Sequence, residues 1–128
     1  MPDSPQELLE RWVAAIESKD LGALAKIFRD GDDVAVFWSN GERTVGWPEV
    51  RRHIETDFRK EVDLSMQVED LHTTLVDGDT CTLTYRYGIT VAAAGDAVTC
   101  SRLASMTLHR GTDGWRIAAL HVSTAPDS

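Results

Sequence analysis

The spacing of apolar residues divides the chain into a helical first part and a strand-rich second part. Residues 4–18 repeat apolar side chains three and four positions apart, which predicts an amphipathic helix. Ser4, followed by Glu7 three residues later, forms a capping box that predicts where this helix begins. The same spacing predicts two further helices, over 21–28 and 48–58.

From residue 62 onward the apolar pattern changes to a period of two, which is typical of β-strands with one buried face. Asn40-Gly41 also predicts a hairpin of two short strands within 34–45. Helices followed by a long antiparallel meander indicate an α+β fold, with helices packed on one face of a strongly curved, mainly antiparallel sheet. The predicted strands of the meander are 62–76, 80–91, 98–110 and 115–124.

Alternation along these strands predicts which side chains face the helices. It turns Arg102 and His121 toward the core, although an apolar core satisfies neither side chain. A hollow in the core would accommodate both groups, so we predict a pocket that takes a small apolar or amphipathic molecule. The predicted ligand-binding residues are Arg102, Tyr85, Tyr87, Trp38 and Met106.

The candidate catalytic residues are His121 and Asp70. His121 is either a general base or proton donor, or a core histidine that holds neighbouring strands in place. The strands 80–90, 98–110 and 115–124 contain no Asp or Glu, so a pocket carboxylate must come from elsewhere, and Asp70 is the nearest candidate. The apolar alternation changes phase near Glu69 and Asp70, which predicts a β-bulge there.

Two other polar residues have open roles. Arg102 either forms an ion pair with Asp70 or Glu42, or anchors a ligand carboxylate or enolate. His53 lies at the edge of the polar face of the third helix, where we expect a solvated surface residue.

Composition and charge narrow the classes of partner. The 128 residues carry a formal net charge of -8, which disfavours nucleic acid and anionic membrane surfaces. No apolar run approaches the ~20 residues of a membrane span, and no Cys or His spacing suits a metal, so we expect no membrane, metal or cofactor. We predict one cytoplasmic domain over 1–128 with flexible ends at 1–4 and 125–128. Cys81 and Cys100 are predicted to be free thiols.

Two segments resemble a known family. The stretches "FWSNGERTVGWPEVRRHI" and "DGWRIAALHVS", together with the three helices, resemble SnoaL-like families of the nuclear transport factor 2-like superfamily. The resemblance implies a cone-shaped α+β barrel around a pocket, in a homodimer formed through the outer sheet face. Its members include polyketide cyclases, ketosteroid isomerases, epoxide hydrolases, dehydratases and non-catalytic assembly domains. The cyclases and isomerases use pocket carboxylates, which the last three strands here lack.

Two functional hypotheses follow from the pocket and the resemblance. The first is an isomerase, cyclase or hydrolase that transfers protons on an apolar substrate with a carbonyl or carboxylate, using His121, with Arg102 or a tyrosine stabilising negative charge. The alternative is a non-catalytic ligand-binding or dimerisation module. Alternation also predicts an outward apolar patch that forms a two-fold homodimer, made of Ala118, Leu120, Val122 and Leu103.

Overall fold

The computed structural model describes residues 2–125. The three helices are α1 (Pro5–Ser18), α2 (Leu21–Ala25) and α3 (Trp47–Phe58). The strands are β1 (Ala35–Phe37), β2 (Arg43–Val45), β3 (Asp63–Asp77), β4 (Thr80–Ala93), β5 (Asp96–Gly111) and β6 (Gly114–Thr124). No helix within the described range is long and apolar enough to cross a membrane.

All six strands belong to one mixed sheet in the order β2-β1-β6-β5-β4-β3. Neighbouring strands are antiparallel except for β1 and β6, which run parallel. Apolar side chains of the helices and of the inner sheet face share one core, for example Leu8, Val50, Leu83 and Ile117. This arrangement confirms the prediction of an α+β fold.

Local chemistry explains the ends of the first two helices. The Ser4 hydroxyl accepts the Glu7 backbone N–H at 3.1 Å, which caps α1 as the sequence predicts. The second helix stops at Ala25, short of the predicted residue 28, because the following backbone pairs with β6. There the Ile117 N–H donates to the Ile27 carbonyl at 2.6 Å.

The N-terminal segment is held against the sheet. Pro2 is buried, and its carbonyl accepts the Trp115 N–H at 3.1 Å. These contacts place Pro2 against β6, while the flexibility expected for 1–4 stays a prediction, and Met1 falls outside the described residues. Ala125 is likewise buried, and its N–H donates to the Ser101 carbonyl. The predicted flexibility of 126–128 falls outside the described residues.

Of the three register shifts in the described sheet, one of which lies between Leu75 and Asp77, two decide which side chains face the core. The pairing of β3 with β4 is irregular between Glu69 and His72, where Asp70 has a φ of 55°, and this confirms the predicted bulge. A second bulge lies in β6, because Thr107 pairs with Ala119 whereas Leu108 pairs with Ile117. One extra residue reverses the facing of every residue that follows it.

The bulge in β6 overturns two predictions. Leu120 and Val122 are buried, at 2% and 7% exposure, so the predicted outward patch for dimerisation is wrong. His121 is exposed on the outer sheet face, so its predicted inward placement is also wrong. Both errors come from continuing a strict alternation through Ala118, the extra residue. In contrast, the predicted register of β4 and β5 is confirmed, and both cysteines are free.

Candidate functional site

A cavity of about 360 Å³ lies between the helices and the inner sheet face. Its walls are mostly apolar and come from α1, α3 and four strands. The apolar lining consists of Trp12, Ile16, Ile54, Phe58, Val62, Leu64, Met66, Ile89, Val91 and Val122. The polar lining side chains are fewer: Arg102, Tyr87, Asp57, Lys60 and Ser39, with the indole of Trp38.

Arg102 brings a positive charge to this apolar wall. Its guanidinium donates to the neighbouring Ser101 carbonyl at 3.1 Å, and among residues 2–125 it forms no ion pair. The two predicted partners bind elsewhere, since Asp70 lies 3.8 Å from Arg86 and Glu42 lies 3.6 Å from His53. The predicted ion pairs of Arg102 are therefore absent from the described chain, and its charge remains available to a ligand.

Tyr87 lies directly opposite Arg102 in the sheet and lines the same cavity. Burial raises the pKa of Tyr87 to about 12, although the nearby charge of Arg102 acts in the lowering direction. The phenol therefore stays protonated at neutral pH and presents a hydrogen-bond donor beside the guanidinium. The two residues therefore contribute two hydrogen-bonding side chains to the same cavity.

Two of the predicted ligand-binding residues lie in the core and not on the cavity wall. Met106 is fully buried, and Tyr85 is buried with its ring 5.9 Å from that of Tyr87. Burial raises the pKa of Tyr85, with a further contribution from Tyr87. Within residues 2–125, the buried side-chain polar atoms that lack a hydrogen-bond partner are the Tyr85 hydroxyl and Trp12 Nε1.

The mouth of the cavity contains a cluster that the sequence analysis missed. Trp38 stacks on His53 with ring centroids 4.1 Å apart and an interplanar angle of 10°. The imidazole lies between two carboxylates, with Nδ1 3.6 Å from Glu42 and Nε2 3.9 Å from Asp57. Asp57 also contacts Lys60 at 3.2 Å. His53 is thus only 19% exposed, against the expected solvated surface position.

The missed cluster had a signal in the sequence. His53 and Asp57 are four residues apart on a helix, a spacing that brings two side chains together. Trp38 is held in place by the β1–β2 hairpin, where its indole N–H donates to Thr44 Oγ1 at 2.9 Å. This hairpin and α3 meet at the cavity mouth.

The two predicted catalytic residues lie together on the opposite side of the sheet from the cavity. Asp70 and His121 line an open groove of about 350 Å³ on the outer face, with Arg86, Ser105 and Ser123. The bulge in β6 turns His121 outward, and the bulge in β3 gives Asp70 its left-handed backbone conformation. Neither side chain lines the cavity that holds Arg102.

Comparison with known proteins places this architecture in a family. Residues 6–128 match the model of the SnoaL-like domain. The chain belongs to this family. No curated protein sequence matches this SnoaL-like domain.

Solved structures share the fold at low sequence identity. A nuclear transport factor 2-like superfamily protein from Salmonella enterica serovar Typhimurium has a TM-score of 0.85 and 16% identity, covering 95% of this chain and 89% of that one. A candidate dehydratase with the same type of fold, from Streptomyces avermitilis, has a TM-score of 0.86 and 19% identity, covering 94% of this chain and 93% of that one. A candidate aromatic ring hydroxylase from Novosphingobium aromaticivorans has a TM-score of 0.83 and 18% identity, covering 95% of this chain and 87% of that one. At such identities the likeness establishes the fold of the SnoaL-like domain and leaves its chemistry to be argued from the cavity.

Proposed function

We propose that this SnoaL-like domain binds a small, largely apolar molecule bearing a carboxylate or carbonyl oxygen and transforms it by acid–base chemistry in the helix–sheet cavity. The observation that carries the proposal is the Arg102 guanidinium, which lines an apolar cavity without a carboxylate partner in the described chain. Arg102 is half-buried, and an anionic ligand group in the cavity would supply the charged hydrogen-bond partner that the described chain does not.

The donors on the cavity wall suit an oxygen that carries or develops negative charge. Arg102 and Tyr87 come from directly paired positions of β5 and β4, and the desolvation of the protonated Tyr87 phenol strengthens a hydrogen bond that it donates. Trp12 adds a buried indole N–H that has no acceptor in residues 2–125. A second ligand oxygen that reached this nitrogen would satisfy it.

The acid–base role falls to Asp57, since it is the carboxylate among the lining residues of the cavity. In the proposed step the Asp57 carboxylate takes a proton from carbon next to the ligand carbonyl. The electron pair moves to the carbonyl oxygen, where Arg102 and Tyr87 stabilise it. His53, whose Nε2 lies 3.9 Å from Asp57, is assigned as a positioning residue, together with Lys60 at 3.2 Å. The candidate dehydratase among the structural neighbours supports proton transfer as a chemistry this fold accommodates.

A specific observation favours the second candidate, a binding module without chemistry. Both residues that the sequence singled out for catalysis, His121 and Asp70, lie in the outer groove. A homodimer also stays a prediction, and it rests on the family resemblance, since Leu120 and Val122 of the patch proposed for it lie in the core.

Ligand binding tests the role of Arg102. Quenching of tryptophan fluorescence reports on the cavity, since Trp12 and Trp38 line it. We expect aromatic and terpenoid monocarboxylic acids to bind more tightly than their matched primary alcohols. Arg102→Gln should weaken acid binding at least about tenfold and alcohol binding little, because a charged hydrogen bond is lost. Arg52→Gln, on the exposed face of α3, is the control.

Proton exchange separates the enzyme from the module. Bound ketones in D2O should exchange their α-protons with the wild-type protein, and Asp57→Asn should slow the exchange about 100-fold while binding persists. Binding without exchange would favour the module. Equal acid affinity in the Arg102→Gln and wild-type proteins would refute the proposed anchor.

A further inference from the structure

The second half of β3 forms an open edge of the sheet. β3 is the last strand in the sheet order, so its outer side has no strand partner among the described elements. Near its start α1 covers this edge, where Glu17 Oε2 accepts the Met66 backbone N–H at 2.9 Å. Beyond that point every residue of 69–77 is exposed. Leu75 and Val76 are 72% and 64% exposed, which is unusual for large apolar side chains on an edge strand.

A groove runs beside this open edge. It lies between α1 and β3, has a volume of about 390 Å³, and is separate from the cavity that holds Arg102. Its apolar lining includes Leu9, Val13, Val68 and Leu71, and Leu71 is 39% exposed. The edge therefore offers backbone hydrogen-bonding groups on a strand and apolar contacts next to it, which is the combination used in β-strand addition.

The acidic residues beside the edge indicate the charge of the partner that it would bind. Glu69, Asp70 and Asp77 lie along the strand, and Glu10 lines the groove. Arg86 contacts Asp70 at 3.8 Å, and Glu69 and Asp77 form no ion pair within residues 2–125. Acidic groups along an edge strand favour a basic neighbour.

The same charges oppose a second copy of this chain at the edge. In an antiparallel two-fold pairing of two β3 strands, the register that brings Leu71 opposite Leu75 also brings Glu69 opposite Asp77. Like charges directly opposite one another destabilise strand pairing. The net charge of -8 on each chain adds to this repulsion.

We propose that this edge and its groove bind an extended segment of a partner protein in which basic and apolar residues alternate. The segment adds to the sheet as a strand beside β3. Over 72–75, between the two register shifts of β3, alternation turns its apolar side chains toward the helix side of the sheet and its basic side chains toward the outer face. The surface is distinct from the cavity of the proposed function and does not depend on it.

Peptide binding to the full chain tests the surface. The probe is a fluorescent acetylated heptapeptide of alternating Lys and Val, compared with an alternating Glu and Val peptide. A third peptide has the Lys/Val sequence with alternate backbone amides N-methylated, which keeps its charge and removes hydrogen-bond donors. We expect saturable one-to-one binding of the first peptide, no binding of the second, and at least about tenfold weaker binding of the third. Hydrogen exchange should show new protection confined to residues 69–77.

Variants of the edge provide matched controls. Leu71→Lys should weaken Lys/Val peptide binding about tenfold or more, because it removes an apolar contact and adds a like charge. Val98→Lys makes the same change at an exposed apolar residue on β5 and should leave binding unchanged. Leu75→Thr keeps strand propensity and serves as a second test if Leu71→Lys does not fold.

Two outcomes would overturn the proposal. Equal binding of the N-methylated peptide, or equal weakening by Val98→Lys, would mean that a basic peptide adheres to an acidic protein without pairing to this edge. Sedimentation in which the wild-type protein is a dimer and the Leu71→Lys protein a monomer would mean that a second copy of this chain occupies the edge.

Discussion

Replacing Leu120 by Ala tests the bulge in β6, on which the location of the site depends. Leu120 is 2% exposed and lies in the core, directly opposite Met106 on the neighbouring strand. Truncating a fully buried leucine removes its transfer free energy and leaves a cavity, at a cost of about 3 kcal/mol. For a domain of this size the melting temperature should fall by about 10 °C. Without the bulge, Leu120 would face solvent and the change would cost little.

His121→Ala is the matched comparison, one residue along the same strand. His121 is exposed on the outer face, with its ring 5.5 Å from that of Phe37, so its truncation should cost less than about 1 kcal/mol. Urea unfolding followed by tryptophan fluorescence gives both free energies of unfolding from transitions of equal slope. A larger loss for His121→Ala than for Leu120→Ala would refute the bulge and return His121 to the inner face.

Two further predictions concern ionisation and backbone geometry. Because burial raises the pKa of Tyr87 to about 12, its phenol stabilises the folded state below the unfolded pKa of about 10, and this contribution is lost as pH rises from about 10 to about 12. Tyr87→Phe should therefore flatten the alkaline fall in the free energy of unfolding, and an unchanged profile would contradict it. Gly114→Ala should cost about 1 kcal/mol or more, since Gly114 has a φ of 92° and an added Cβ would lie 2.5 Å from the Pro2 carbonyl oxygen. Gly78→Ala, where no atom lies within 4 Å, is the control for thermal unfolding, and equal losses would refute the backbone argument.

The sequence predicts the fold well because the apolar periods are clear and long. The register of β4 and β5 follows from one short turn, and the structure pairs Cys81 with Leu108 and Ile89 with Cys100 as that turn predicts. The bulge at Asp70 is predicted for a different reason. Apolar residues before and after it occupy positions of opposite parity, and only an extra residue allows both sets to lie on the same face of the sheet.

The same conflict of parity exists in β6, where the sequence analysis did not use it. Trp115 and Ile117 are apolar at odd positions, whereas Leu120 and Val122 are apolar at even positions. Two alanines separate the pairs, and alanine is small enough for either face, so the alternation continues through them without an obvious break. Large apolar side chains gain more free energy on burial than alanine or histidine does. They therefore determine which alternate residues of β6 face the core. Weighing the residues by size would have predicted the bulge and placed His121 outside.

Arg102 lines the cavity and His121 does not, because the strands that carry them differ in regularity. β5 contains no extra residue between Arg102 and Thr107, so each residue there keeps the face that alternation assigns. The strand before it is equally regular, which holds Tyr87 opposite Arg102 on the cavity wall. β6 contributes Val122 to the same wall, and this apolar residue stands where strict alternation would have placed a histidine. Under the proposed function the acid–base group comes from outside the meander, because α3 brings a carboxylate, Asp57, to the cavity.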